Sequence, residues 1–149
     1  MKLSELVHCG VWHGIPENLY DFLLAEWAGH GVSRLIFCAT EMARGVREPE
    51  FGTAFIKRAG EHGIRWADGH VPWTPEWALN TPEPYRDTMI QNNTRALELA
   101  AEAGGTTLTI HVGDNVCREQ SYLPIEQTLP LLDDALERLI PVAERCRVV

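Results

Sequence analysis

Short apolar runs alternate along this chain with longer stretches of helical period. Residues 6–12 (LVHCGVW) read as a strand. Residues 16–29 then read as a helix, with Leu19, Leu23 and Trp27 at i, i+4 and i+8 on one face. Pro16 suits its first turn, and Gly29 or Gly31 its exit. Residues 32–39 (VSRLIFCA) predict a second strand. Residues 48–63 predict a helix with Phe51, Phe55 and Ala59 aligned and Gly63 just past its end. A third strand (64–71) leads into an aromatic, Pro-rich loop (73–84), long enough to be a functional βα loop. A helix over 85–105 carries Ile90, Leu97 and Ala100 on one face and ends at two glycines. A fourth strand (106–112) and a helix over 124–146 follow. That helix has Leu132, Leu136, Leu139 and Ala143 as its stripe, and Pro141 is expected to kink it. The last residues, RVV (147–149), look like the start of a fifth strand.

Strands alternating with helices at this spacing imply parallel β-structure with right-handed crossovers. At 149 residues, with neither linker nor internal repeat, the chain reads as a single α/β domain over 1–149. Net charge is −8, from 13 basic and 21 acidic residues, and no Lys/Arg run forms a patch. A nucleic-acid partner is disfavoured, because phosphate neutralisation supplies most of such affinity. No run approaches the ~20 apolar residues of a membrane span, and the N-terminus lacks a signal-peptide core. Cys9, Cys38, Cys117 and Cys146 form no C-x-x-C pair. Cys9 and Cys38 fall inside apolar strand candidates, where a free thiol behaves as a small hydrophobe, and the expected compartment is a reducing cytoplasm.

Strand alternation assigns faces. On the fourth strand Thr107, Thr109 and His111 share one face, and Leu108, Ile110 and Val112 the other. The same reading groups Trp66, Asp68 and His70; His8, Gly10 and Trp12; and Leu35, Phe37, Ala39 and Glu41. Each strand is thereby expected to bring a chemically useful side chain to its C-terminal end: His8 and Trp12, Glu41, His70, His111. Ligands of parallel α/β folds bind at those ends. His70 and His111 together make half a metal site, since zinc takes about three to four protein ligands. Glu41 is a candidate general base or else a loop carboxylate on solvent, and Asp68 a candidate to orient a histidine. Trp73 and Trp77 either cap a pocket or pack a subunit surface.

Three stretches carry a resemblance: DGHVPW (68–73), NNTRALELAAEAGGTTLTIHVGDN (92–115) and LPLLDDALERLIPVAERCRVV (129–149). They resemble the third-strand end, the third helix with fourth strand, and the fourth helix of the xylose-isomerase-like TIM barrels. That superfamily includes the sugar phosphate isomerases/epimerases and the AP-endonuclease-type barrels. The resemblance implies the N-terminal (βα)4 half of a barrel, since eight units normally take about 250 residues. A small doubly wound sheet is the alternative architecture.

The resemblance also implies metal-assisted isomerisation or epimerisation of a small sugar or sugar phosphate, with Mn, Mg, Co or Zn as the divalent metal. In the isomerase branch the ligands sit on strands five to eight, so this short chain is expected to be inactive alone, and its standing as an enzyme is left open. In the endonuclease-like branch the third- and fourth-strand histidines, here His70 and His111, are ligands. From the residues themselves, Glu41 is expected in catalysis, and His8, Trp12, His13 and Trp73 in substrate binding, because an aromatic face packs well on a sugar ring, although Trp12 also reads as an ordinary core residue. A non-catalytic half-barrel module for binding or assembly, or a truncated product, is the alternative function. A homodimer is expected, because an open half-barrel has two unpaired edges and a concave face on which Leu35, Phe37, Ile64 and Trp66 are expected to lie.

Overall fold

The structure is a computed structural model that describes residues 5–9, 12, 14–113 and 124–149. Among them, four parallel strands lie in the order β1-β2-β3-β4: His8–Cys9, Arg34–Phe37, Arg65–His70 and Thr107–Thr109. Five helices accompany them: α1 (Tyr20–Gly29, after a 3-10 turn at Glu17–Leu19), α2 (Ala39–Arg47), α3 (Pro49–Glu61), α4 (Arg86–Glu102) and α5 (Ile125–Cys146). This sequential parallel order is that of half a TIM barrel, and it sets aside the doubly wound alternative, whose strand order would reverse. Val149 extends the pattern. Its N–H donates to Thr106 O and its carbonyl accepts from Leu108 N, each at 2.9 Å, which brackets Thr107 as a fifth parallel strand would.

One device joins helix to strand repeatedly. After α1, α3 and α4 a glycine with positive φ (Gly31, Gly63, Gly104) bonds back three residues, and the next residue bonds back five. This is a Schellman exit, which satisfies the last carbonyls and turns the chain into the following strand. After α5 the same bonds form with Arg147 at φ 56° in the glycine position.

The core lies between the sheet and the helices. Trp12, Tyr20, Phe37, Phe55 and Trp66 interlock there, with neighbouring ring centroids 4.7–6.0 Å apart. The helix stripes differ in detail from those expected. On α1, Tyr20 and Leu24 are buried, while Leu19 is exposed within the 3-10 turn. On α5, Ala135, Leu139 and Val142 are buried and Leu136 is exposed. That helix is continuous through both Pro130 and Pro141.

Register decides which strand face meets the core. Leu35 pairs with Trp66, but Ile36 pairs with Asp68 and Phe37 with Gly69, so Ala67 is an extra residue in β3. Such a bulge inverts the alternation across it. Leu35, Phe37 and Trp66 therefore face the helices, and Asp68 and His70 face the concave side. The expectation that Trp66, Asp68 and His70 share a face is corrected by this single residue. The expected apolar concave face is corrected too: Leu35, Phe37, Ile64 and Trp66 are all buried. The concave side carries Cys9, Ile36, Asp68, His70, Thr107 and Thr109 instead.

Candidate functional site

The site is built from the ends of β3 and β4. His70 pairs with Thr109, so His111, two residues beyond Thr109, emerges on the same face one step further along. The two imidazoles meet edge to face, with ring centroids 4.8 Å apart and planes at 75°. Trp73 completes a triangle of rings, 6.2 Å from His70 and 5.7 Å from His111. Trp73 is about half exposed, whereas Trp77, the other loop tryptophan, is buried in the core.

The loop that carries Trp73 also fixes His111. Leu79 N donates to His111 O at 2.9 Å and Asn80 N to Val112 O at 3.1 Å, so residues 79–80 run along the exit of β4. Asn93, fully buried on α4, ties the loop down through Nδ2 to Trp77 O at 2.9 Å, and Asn92 donates to Glu76 O at 3.0 Å. Arg86 anchors the far side. Its Nη1 donates to Leu79 O at 2.7 Å, its Nη2 to Leu131 O, and its Nε and Nη2 to Asp134. Arg86 was not anticipated as a positioning residue. A charged residue heading a helix reads as solvated, and only the fold brings Asp134 to it.

Electrostatics favour an uncharged ring at His70. Burial lowers the His70 pKa from its ordinary value, and the neighbouring His111 lowers it further, because two imidazolium charges at this range repel. His111 Nε2 is buried and has no hydrogen-bond partner among the described residues. A buried nitrogen left unpaired costs free energy, and neutral imidazole with a free lone pair is the form that ligates a cation. The pair therefore fits two positions of a metal ligand set. Among the described residues no group of three His, Cys, Asp or Glu side chains converges to complete one.

The remaining expected site residues are not brought to this pair. Glu41 is buried in the first turn of α2, neither at a strand end nor on a solvent loop. Its charge acts on Cys38 and Tyr20, and no carboxylate contributes to the shift of His70. Trp12 is a core residue. His8 pairs with Leu35 and so shares the helix-side face. The Asp68 carboxylate accepts from the Thr107 hydroxyl across β3 and β4, which replaces the expected bond to a histidine. His13 lies outside the described residues.

The fold thus defines a class, the parallel βα half-barrel with a histidine pair at its strand ends. No family model matches the chain, and no curated protein does. Solved structures do. The chain is similar to 3-keto-D-glucoside 4-epimerase YcjR from E. coli, with TM-score 0.65 and 20% identity over 96% of this chain and 53% of that one. It is similar to D-psicose 3-epimerase, with TM-score 0.67 and 13% identity over 87% of this chain and 44% of that one. The D-psicose 3-epimerase of Clostridium cellulolyticum H10 aligns with TM-score 0.63 and 15% identity, again over 87% of this chain and 44% of that one. The chain spans about half the length of these structures, and at such identities the likeness is one of fold. Among the described residues, no helix is long and apolar enough to cross a membrane.

Proposed function

We propose that this chain forms the first half of a sugar isomerase/epimerase-like barrel, acting on a small sugar or sugar phosphate. The observation that carries the reading is the His70–His111 pair on the concave face, with one buried, unpartnered nitrogen and Trp73 beside both rings. The names of the aligned epimerases support it.

In this reading His70 and His111 are two of the ligands of a divalent cation of the Mn, Mg, Co or Zn group. Such a cation, when bound, polarises a carbonyl and stabilises negative charge developing next to it. The chain's own residues do the rest. Trp73 offers a half-exposed aromatic surface to the C–H face of a sugar ring and shields the histidines from water. Glu41 is the proton acceptor in this reading, working from the first turn of α2 at the same end of the sheet. In this reading His8, from β1, and His13 take part in substrate binding, and Trp12 backs the site from the core. With two imidazoles as the contribution of the described residues, the chain is expected to turn over sugar only when further ligands are supplied, and to be inactive alone. A second copy packed on the open half-barrel, in a cytoplasmic setting, completes the reading.

Calorimetric titration of the purified chain with zinc and with manganese tests it, beside a sugar panel assayed with and without chelator. Weak binding lost in both His70→Ala and His111→Ala, without turnover, is the expected result. Binding indifferent to both substitutions overturns the reading.

A further inference from the structure

Away from the histidine pair, two thiols face each other. Cys9 lies in β1 opposite Ile36, and Cys38 follows two residues after Ile36, so both reach the concave side. Their sulfurs are 3.6 Å apart although the residues are 29 positions apart in sequence. Cys9 is exposed and Cys38 half-buried. The local chain favours this approach. Cys38 stands immediately before the first residue of α2, where the backbone leaves β2.

From this juxtaposition we infer that Cys9 and Cys38 form a reversible disulfide across β1 and β2, written and erased by exchange with low-molecular-weight disulfides and thiols. A disulfide needs the sulfurs at about 2.05 Å, so closure requires an approach of roughly 1.5 Å. The short β1, which among the described residues pairs with β2 alone, is the element that yields.

The two thiols have different roles. Burial pushes the Cys38 thiol up to about 12, with the Cys9 contact and the charge of Glu41 adding to it, so Cys38 keeps its proton at neutral pH. Exposed Cys9 is where a reagent meets sulfur. The Cys9 thiolate attacks one sulfur of the small disulfide, forms the mixed disulfide and expels one small thiolate. That thiolate takes up a proton. Cys38 gives up its proton to solvent, its thiolate attacks the Cys9 sulfur, and the second small thiolate departs and takes up a proton. The protein loses two thiols and gains one S–S bond, while one small disulfide becomes two small thiols. The bridge would pin β1 to the head of α2, at the end of the sheet that also carries His70 and His111, and so tie the site rim to the redox poise.

The test incubates the full chain, folded, with oxidised glutathione, blocks the remaining thiols, and maps disulfides by mass spectrometry. The expected product is a Cys9–Cys38 cross-link with no accumulating glutathione adduct, reversed by dithiothreitol. In Cys38→Ser the adduct should instead persist on Cys9. In Cys9→Ser the modification of Cys38 should slow by roughly tenfold or more, because a buried, protonated thiol is a poor nucleophile. A stable adduct on Cys9 of the unaltered chain, or a cross-link from either residue to Cys117 or Cys146, overturns the inference. The mapping on the unaltered chain stands independently of whether the variants fold.

Discussion

The backbone N–H of Leu79 donates to the carbonyl of His111 at 2.9 Å, and the Leu79 carbonyl accepts from Arg86 Nη1 at 2.7 Å. His111 is thus held by a loop that a buried arginine holds in turn. The aim of one imidazole depends on an ion pair with α5.

Arg86→Ala should be costly for that reason. It removes the donor to the Leu79, Thr81 and Leu131 carbonyls and leaves Asp134 with the more distant Arg138, at 3.8 Å. The expected loss is about 3 kcal/mol, read from the denaturant midpoint at constant slope. Arg86→Lys should restore only part of it, because an ammonium cannot serve the same fork of acceptors. A loss below about 0.5 kcal/mol, the scale of ordinary surface substitutions, would show that the loop is held by other contacts.

Acid should weaken the fold through His70. Its pKa is lowered in the folded state, first by burial and then by His111. The unfolded chain therefore takes up the proton first as pH falls below about 6.5. Stability is full above that value and declines toward the depressed folded pKa, where the loss becomes complete. His70→Gln should flatten this slope in thermal melts between about pH 7 and 5, the range of histidine titration. An unchanged slope would assign the acid sensitivity elsewhere.

Two backbone positions should respond in opposite directions. A Cβ on Gly69 would stand 2.6 Å from Leu108 Cδ1 and 2.9 Å from Met42 Cε, so Gly69→Ala should destabilise by about 1–3 kcal/mol. Arg147 holds the left-handed position after α5 without being glycine. Arg147→Gly should stabilise by up to about 1 kcal/mol, because glycine adopts this conformation without steric cost. Equal signs in the two melts would contradict the packing described for β3 or the helix exit described for α5.

The α5 helix should mark the contact in a homodimer. Ile125, Leu129, Leu136 and Ile140 are all exposed along it, at spacings that repeat on one side of a helix. Such a stripe normally marks an interface, and two-fold dimers are the commonest assembly of identical chains. Sedimentation at micromolar concentration should give a dimer, and Leu136→Glu with Ile140→Glu should return a monomer. A monomer before substitution would leave the stripe without a second copy to cover it.

The alternation of strands and helices was legible in the sequence, because apolar period and helix-ending glycines are local properties. So was the shared face of Thr107, Thr109 and His111, which lie on one uninterrupted run. The pairing of Cys9 with Cys38 was not read, although both sit near strand ends. α2 went unseen because the strand reading of 32–39 absorbed the residue that begins it, and Glu41 was misplaced with it.

The sequence by itself determined the βα units and put His70 and His111 near strand ends. Tertiary structure decided which faces meet. Alternation tells which residues lie together but not which side the helices cover. The extra residue at Ala67 reverses the face of Trp66 relative to His70, and that is settled only when β2 supplies the register. Arg86 likewise becomes a buried anchor only when α5 brings Asp134 to it, because its partners are distant in sequence and no local pattern encodes them.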